Sequence, residues 1–269
     1  MTIFGMLRIR NEARWITDVL ASIFPLCERV FVLDDHSDDG TAELCERSGG
    51  PVTVFRSQFS GLDESRDKNF LLEQVMGCVP PVHFGAGHLP GDEQSPFWVL
   101  AIDGDELLDT RGVDTIRRTL PTTAGHAFKL PIRYLWDSDM SLYPERRQIR
   151  VDGVYRNFAR PSLFRLFNRR FRFQSTPWGG NLHCSSIPQE LLHVAQVKLD
   201  APLWHLGYND RADRLRKYAW YNKVDPGNQG EDQYRHIVQG DVPEIPANAR
   251  LRHAGPLELA TEVLPCSAA

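Results

Sequence analysis

Clustered carboxylates follow an apolar run near the middle of the chain. Asp103, Asp105 and Glu106 stand directly after the run 98–102, which has the composition of a central strand in a parallel sheet. Ligands of such sheets bind beyond the carboxyl ends of the strands. Crowded carboxylates repel one another unless a cation lies among them, and Mn²⁺ or Mg²⁺ holding a diphosphate meets that requirement. The alternative is an acidic helix N-terminus, where carboxylates interact with the helix dipole.

Polar residues also stand at the ends of the first two predicted strands. They are Arg8, Arg10, Asn11 and Glu12 after the first strand, and Asp34 and Asp35 after the second. Because the carboxyl ends of parallel strands share one edge of a sheet, these side chains are expected beside the acids at 103–106. Carboxylates can accept a base N–H or a ribose hydroxyl, and arginines can bind phosphate oxygens.

The elements that must position these residues alternate between strand and helix. Strands are predicted at 2–9, 30–33, 52–55 and 98–102, and helices from Asn11–Glu12 to Ile23, at 42–47 and at 64–76. This alternation predicts an α/β fold with a doubly wound, mostly parallel sheet and right-handed crossovers. The first strand-to-helix turn, 8–12, has no glycine, and no GxxxxGK[ST] loop is present. Dinucleotide-binding and P-loop sites are therefore disfavoured.

The pattern becomes less regular after the acid cluster. Strands are predicted at 127–136 and 162–167, helices near 113–120, 210–224 and 231–239, and a surface loop at 80–96. Within this half, residues 145–173 hold nine arginines against two acids, with aromatic residues interleaved. They could form a track for an anionic acceptor. Alternatively, the aromatic residues alternate into the core and the arginines face water.

Composition sets broad limits on the protein. The chain has 269 residues, of which 42% are hydrophobic and 25% are charged, with a formal net charge of −4. These values are typical of a globular protein. The five cysteines form no CxxC pair and suggest reduced thiols. No run approaches the length of a membrane span, and no signal-peptide pattern is present. We expect a cytoplasmic protein, with peripheral attachment to the inner membrane face as an alternative.

Motifs in the first part of the chain resemble those of a known enzyme family. The segments are RNEA at 10–13, FVLDDHSDDGT at 31–41, RDKN at 66–69 and IDGDE at 102–106. Together they are similar to the family 2 glycosyltransferases of the GT-A fold, which carry N-E, D-D-x-S-x-D-G-T, R-x-x-N and D-x-D in that order. One such motif alone is weak, but all of them in order make the resemblance specific.

The resemblance implies a division of the chain and a reaction. Residues 1–125 would form the nucleotide-sugar-binding half of a GT-A domain, 126–242 its α+β acceptor half, and 243–269 a flexible or surface-packed tail. The implied reaction transfers a sugar with inversion from a nucleotide-sugar donor, most often UDP-linked, with a divalent metal. The acceptor stays open: a saccharide, a lipid, a protein, a small molecule or modified DNA.

The resemblance also implies roles for single residues. Asp35 would contact the nucleobase, with Asp34 an equal alternative, and Arg66 would lie near the nucleotide. Asp103 and Asp105 would serve the metal and the diphosphate. His205 lies in a segment, 204–208, similar to the closing segment of some family members, where a histidine can complete the metal site. It could equally be a hydrogen-bonded histidine at a strand end.

The base that deprotonates the acceptor should come from the second half. The candidates are Asp137, Asp139, His183, Glu231 and Asp232. Asp232 is favoured because 230–233 resembles an acidic pair that opens a helix in many relatives, although helix-start preference explains the pair as well. His183 stands where relatives often show His-Glu, but here a cysteine replaces the glutamate.

Two functions are therefore weighed from the sequence. The first is an inverting, metal-dependent glycosyltransferase. The second is an inactive module of the same fold that binds an anionic polymer, such as nucleic acid or a phosphorylated glycan or lipid, through residues 145–173. Clustered carboxylates cost stability, so their presence favours the enzyme.

Overall fold

A computed structural model of the chain contains one large mixed sheet with helices on both faces. The structure describes residues 1–84, 95–140, 147–175, 182–225, 233–239 and 241, together with the backbone of 251–253. The strands are β1 Thr2–Ile9, β2 Arg29–Asp34, β3 Val52–Arg56, β4 Phe97–Ala101, β5 Glu106–Leu108, β6 Ala127–Tyr134, β7 Gln148–Arg150, β8 Ala159–Arg165, β9 Gln196–Lys198, β10 Leu203–His205 and β11 Leu251–His253. The α-helices are α1 Ile16–Ile23, α2 Thr41–Glu46, α3 Glu64–Gly77, α4 Thr110–Thr119 and α5 Arg211–Val224. Short 3₁₀ helices cover Pro81–His83, Gly153–Tyr155, Gln189–Leu191 and Gln233–Val238.

The sheet joins both halves of the chain. Its order is β3-β2-β1-β4-β8-β6-β10-β5, with β9 paired to β6. The pairs among β3, β2, β1 and β4 are parallel, as are β6 with β10 and β6 with β9. Strand β8 runs antiparallel to β4 and β6, and β5 runs antiparallel to β10. The predicted α/β class with a mostly parallel sheet is confirmed.

Alternate residues of β1 are buried on opposite faces of this sheet. Ile3 and Leu7 belong to the core that includes α1 and α4, whereas Phe4 and Met6 belong to the core that includes α3. A strand covered on both faces needs apolar residues at successive positions, which explains the nearly continuous apolar sequence. Arg8 occupies the α3 face at the end of β1, where it reaches the carboxylate of Asp67.

The predicted start of the first helix is wrong by several residues. Asn11 has a left-handed backbone, with φ of 54°, and α1 begins only at Ile16. The backbone N–H of Asn11 donates to Ser37 Oγ and that of Glu12 to Thr41 Oγ1, each at 2.9 Å. These bonds join the residues after β1 to the loop after β2 and to the first residue of α2. Their effect is to hold the residues after β1 at the edge of the sheet.

Two other predicted segments, 231–239 and 80–96, lie partly outside the described residues. The predicted helix 231–239 is a 3₁₀ helix over Gln233–Val238, while residues 231 and 232 lie outside the described residues. The predicted surface loop 80–96 lies partly outside them as well. None of the helices in the described part of the chain has the length and hydrophobicity needed to cross a membrane.

Candidate functional site

A cavity of about 620 Å³ opens at the carboxyl ends of β1, β4 and β10. Nine of the residues singled out from the sequence line it: Arg8, Arg10, Asn11, Glu12, Asp103, Asp105, Glu106, His183 and His205. They come from the ends of parallel strands and from the loop that contains His183. This is where ligands of open α/β sheets bind.

The acid motif forms a tight turn between β4 and β5. The Asp103 N–H donates to Glu106 Oε2 at 3.0 Å, and the Glu106 N–H donates to the Asp103 carbonyl oxygen at 3.1 Å. Gly104 lies against β1, because a Cβ at this position would lie 2.9 Å from Ile9 Cγ2 and 3.1 Å from Glu12 Cγ. The glycine thus lets the turn approach the end of β1.

Arg160 on β8 neutralises one side of this turn. Its guanidinium donates to Asp103 Oδ2 at 2.7 Å and also to Glu106 Oε2. The Asp103 side chain is 44% exposed, whereas the Glu106 side chain is 2% exposed. Burial would raise the pKa of Asp103, but Arg160 and Lys68 hold it below its usual value. Asp103 therefore presents a charged carboxylate to the cavity.

Lys217 on α5 neutralises the other side of the turn. Its ammonium donates to Asp105 Oδ2 and lies 3.5 Å from Glu12 Oε1. Burial would raise the pKa of Asp105, but His205 and Lys217 hold it below its usual value. Gly207 leaves room for this pair, since a Cβ there would collide with both Asp105 and Lys217.

His205 completes this wall of the cavity at the end of β10. Its Nε2 lies 3.6 Å from Asp105 Oδ2, and its ring packs against Tyr134 and Tyr208 at centroid distances of 4.9 and 4.4 Å. Burial lowers the pKa of His205 to about 4. The imidazole is therefore neutral near pH 7 and keeps a lone pair that could bind a metal.

Around the acid turn, the carboxyl groups outnumber the cations in contact with them. Four carboxyl groups, those of Glu12, Asp103, Asp105 and Glu106, share the cations of Lys217 and Arg160. Lys68, which also lines the cavity, is already paired with Glu64 at 2.8 Å. Burial and the neighbouring Asp105 raise the pKa of Glu12 to about 8, against the effect of Lys217. Burial and Asp103 likewise raise the pKa of Glu106 to about 7, against the effect of Arg160.

The donor set fits a divalent cation. The Asp103 and Asp105 carboxylates and the neutral His205 imidazole are ligand types that Mn²⁺ accepts, and Mg²⁺ accepts the carboxylates. His205 Nδ1 is buried and has no hydrogen-bond partner among the described residues. No three acidic, His or Cys side chains in the described ranges are already gathered as metal ligands. Because Lys217 contacts Asp105, a bound ion would require the ammonium to move.

Asp35 lies behind this cavity and not on its surface. It is 2% exposed, and its carboxylate binds Arg8 at 2.5 Å, Arg10 at 3.6 Å and His36 Nδ1 at 3.0 Å. Arg8 also donates to Asp67 Oδ2 at 2.8 Å. In this arrangement arginines cover the carboxylate, and the direct contact of Asp35 with a nucleobase stays a prediction.

Asp34, Arg66 and Asp137 also lie outside the cavity lining. Asp34 is buried and accepts the Ser37 N–H at 3.2 Å. Arg66 binds the carbonyl oxygens of residues 60 and 61 and the Asp67 carboxylate, so it fixes the loop before α3. Asp137 accepts from Arg214 at 2.8 Å, away from the cavity. Asp232 and Glu231 lie outside the described residues.

The arginine-rich stretch has mainly internal contacts. Arg147, Arg150 and Arg165 are buried, and Arg160 binds the acid turn. Most of the interleaved aromatic residues are buried in the core as well: Tyr155, Phe164, Phe167, Phe171 and Phe173. These aromatic residues are buried as expected, but only Phe164 lies in a strand, where residues 162–165 are all buried. Several of the arginines expected to face water are buried too.

Two cations of the site lie in segments that the sequence singled out, but no role at the acid turn was predicted for either of them. Arg160 stands before a proline in β8 and carries no motif. Within α5 the buried residues are Arg214 and Lys217, whereas Leu215, Tyr218, Tyr221 and Val224 are only partly buried against a small core. A helix that buries cations must place them against acids. The sequence does not say which acids these are.

Comparison with known proteins gives partial similarities of fold. No protein-family model matches the chain, and no curated protein matches it. Residues 1–349 of S. aureus TarS align with 89% of this chain and 70% of that chain, at 13% identity and a TM-score of 0.44. Glucosyl-3-phosphoglycerate synthase from Mycobacterium tuberculosis, in complex with Mn²⁺, UDP and phosphoglyceric acid, aligns with 50% of this chain and 43% of that chain, at 23% identity and a TM-score of 0.28. Mannosyl-3-phosphoglycerate synthase from Rubrobacter xylanophilus aligns with 52% of this chain and 42% of that chain, at 18% identity and a TM-score of 0.29.

Proposed function

We propose that the protein is a family 2-like glycosyltransferase of the GT-A type. It transfers a sugar from a nucleotide-sugar donor, UDP-linked, to the hydroxyl group of an acceptor, with inversion and with a divalent metal. The observation that carries this proposal is the convergence of Glu12, Asp105 and His205 on one cavity from the ends of β1, β4 and β10. These residues are supplied by motifs that together resemble the family.

The charge of the site supports the proposed metal. Four carboxyl groups contact two cations, and Glu12 and Glu106 have a raised pKa there. A divalent ion bound beside them would favour their charged forms. Asp103, Asp105 and His205 would hold the ion. When bound, such an ion neutralises the charge that develops on the leaving diphosphate. Arg160 keeps Asp103 ionised for this purpose.

The nucleotide is proposed to bind along the end of β1. Arg8, Arg10 and Asn11 line the cavity there, and the Arg10 guanidinium stacks on the Trp220 ring at 4.5 Å. Arginine forks bind diphosphate oxygens, and the indole offers a flat surface for a base or a sugar. Asp35 acts on the nucleotide indirectly, by holding Arg8 and Arg10 in position.

The test of this function is the release of nucleoside diphosphate. The protein is incubated with a panel of nucleotide sugars in Mn²⁺ or in EDTA, and free diphosphate is measured. We expect UDP to be released from a UDP-sugar in Mn²⁺ but not in EDTA. We also expect UDP with Mn²⁺ to raise the melting temperature, since a ligand at 100 times its Kd stabilises by about 2.7 kcal/mol.

GDP and ADP serve as the matched controls in the melting experiment and should give no comparable shift. If no nucleotide or nucleotide sugar shifts the melting temperature and none is hydrolysed, the proposed function is wrong. If GDP is preferred to UDP, the enzyme class stands and the proposed donor nucleotide is wrong.

A further inference from the structure

A chain of hydrogen bonds begins at the cavity wall and is formed by residues from the second half of the sequence. His183 lines the cavity, and its Nε2 lies 2.7 Å from Tyr234 Oη. The same hydroxyl group donates to Asp225 Oδ2 at 2.5 Å. The three residues come from separate segments: the loop after residue 182, the 3₁₀ helix Gln233–Val238 and the C-terminal end of α5. Tertiary packing alone brings them together.

The chain fixes the position of one proton. A phenol has a single proton, and a carboxylate only accepts hydrogen bonds, so the Tyr234 proton points to Asp225. Burial and the bond to Asp225 raise the pKa of Tyr234, so the phenol stays protonated. Its oxygen can then only accept, and His183 Nε2 must donate. A neutral imidazole with its proton on Nε2 carries its lone pair on Nδ1.

We propose that His183 is the general base for the acceptor hydroxyl, and that Tyr234 and Asp225 are positioning residues that fix its tautomer. This inference rests on the proposed function. The acceptor oxygen forms a bond to the anomeric carbon while its proton moves to His183 Nδ1. The bond from that carbon to the diphosphate breaks, and its electron pair leaves with the nucleoside diphosphate. The imidazolium then returns the proton to water.

Three other acids of the cavity, Glu64, Asp103 and Asp105, are held by cations or by backbone. Glu64 pairs with Lys68, and its Oε2 accepts the Cys184 N–H at 2.9 Å. Asp103 and Asp105 bind Arg160 and Lys217. His183 is exposed, and an imidazole is a general base suited to neutral pH. The acceptor-side wall therefore already carries a group that can take a proton.

A purely structural explanation exists for the same contacts. Tyr234 packs against Tyr221 with ring centroids 4.9 Å apart, and it belongs to a small core with Leu182, Ile237 and Val238. The bond to Asp225 could serve only to tie the 3₁₀ helix to α5. An experiment must therefore show whether Tyr234 affects the tautomer of His183 or only the stability of this small core.

The first measurement is the tautomer of His183 by ¹⁵N NMR on the full chain. At about pH 8 an ordinary histidine is neutral, so the two nitrogens are distinguishable. The spectrum of His183→Gln assigns the signal, and His193→Gln, on an exposed residue, is the matched control. We expect the proton on Nε2 in the wild type and a mixture of tautomers in Tyr234→Phe.

The second measurement compares catalysis with donor binding. His183→Gln should lower kcat for transfer by about 100-fold or more, a typical loss for a general base, with the Kd of the donor nucleotide within about twofold of wild type. Tyr234→Phe keeps the ring and should lower kcat about tenfold, with KM nearly unchanged. Tyr218→Phe, on α5 and outside the cavity lining, is the control.

The outcomes separate this inference from the proposed function. A wild-type Nδ1–H tautomer, or an unchanged kcat in His183→Gln while the donor still binds, would overturn the role of His183. If Tyr234→Phe lowers stability and kcat together while the tautomer of His183 stays unchanged, Tyr234 only packs the small core and is not a positioning residue. Failure to bind any nucleotide sugar would instead overturn the proposed function.

Discussion

Two groups of carboxylates stand at the same edge of the sheet and are neutralised differently. The Asp35 cluster consists of Asp35 and Asp67 with the guanidinium groups of Arg8, Arg10 and Arg66. Its cations outnumber its acids. The Asp105 cluster consists of Glu12, Asp103, Asp105 and Glu106 with Arg160 and Lys217. Its acids outnumber its cations.

Because of this difference, the two clusters are suited to ligands of opposite charge. In the Asp35 cluster both aspartates are buried, at 2% and 0% exposure, and each binds at least two arginine groups. Such a saturated network is rigid and leaves a positive surface toward an anionic ligand. In the Asp105 cluster two carboxyl groups have a raised pKa. That cluster is suited to receive a cation.

Removal of one charge from the Asp105 cluster should have the largest effect. Asp105→Asn keeps the shape of the side chain but loses the charge that the proposed metal and Lys217 require. We expect metal-dependent release of nucleoside diphosphate to fall by about 1,000-fold or more, with the fold intact by circular dichroism. Asp114→Asn, on the exposed face of α4, is the control. Wild-type release by Asp105→Asn would contradict the role of this cluster.

The same substitution in the Asp35 cluster should affect stability instead. Asp67 is fully buried and accepts from Arg8 Nε at 2.8 Å and Arg66 Nε at 2.9 Å. Asp67→Asn leaves these guanidinium groups without their counter-charge, and we expect the free energy of unfolding to fall by about 3 kcal/mol. Urea denaturation measures it. Glu46→Gln breaks an exposed pair with Arg56 and should change stability by less than about 1 kcal/mol. If Asp67→Asn and Glu46→Gln lowered the free energy of unfolding equally, the stabilising role of the Asp35 cluster would be contradicted.

The crowding of buried carboxyl groups in the Asp105 cluster should also appear as a pH effect. Glu12 has a pKa raised to about 8 in the folded chain, so the folded state binds more protons than the unfolded state between its unfolded value of about 4.5 and 8. The contribution of Glu12 to the free energy of unfolding is therefore present at low pH and is lost as the pH rises through this range. Glu12→Gln should therefore stabilise the protein relative to wild type, and this gain should be larger at high pH than at low pH. The difference between the two gains should be on the order of 2 kcal/mol.

Denaturation curves at about pH 5 and about pH 9 measure this difference, with the ionic strength held constant. Added Mn²⁺ should reduce the gain at high pH, because the ion offsets the charge of Glu12 in the wild type. A gain of the same size at both pH values would mean that Glu12 does not titrate in this range.

The smallest expected effect concerns competition between Lys217 and a metal. The Lys217 ammonium already binds Asp105 and lies near Glu12. Lys217→Met removes this cation and should raise the affinity for Mn²⁺ about tenfold in the absence of nucleotide, or about 1.4 kcal/mol. Calorimetric titration measures it. Lys223→Met, on an exposed position of the same helix, should leave the affinity unchanged. An unchanged affinity in Lys217→Met would show that a metal does not displace the ammonium.

Local sequence signals determined the first half of the protein. The predicted strand 2–9 is confirmed as Thr2–Ile9, and the predicted helix 64–76 is confirmed as Glu64–Gly77. Apolar runs and periodic burial are properties of neighbouring residues, so they are readable without the fold. The same is true of the acid turn, because a parallel strand must deliver its last residues to the ligand edge. The sequence alone therefore predicted that these side chains lie together at one edge of the sheet.

Only the tertiary structure decided how the charges of that site are balanced. Arg160 and Asp103 are 57 residues apart, and Lys217 and Asp105 are 112 residues apart. The tertiary structure also showed that Asp35 faces arginines and that His183, Tyr234 and Asp225 meet. Ion pairs between distant segments depend on how strands and helices pack. Propensity and periodicity carry no information on that packing, because they describe only the residues of one element.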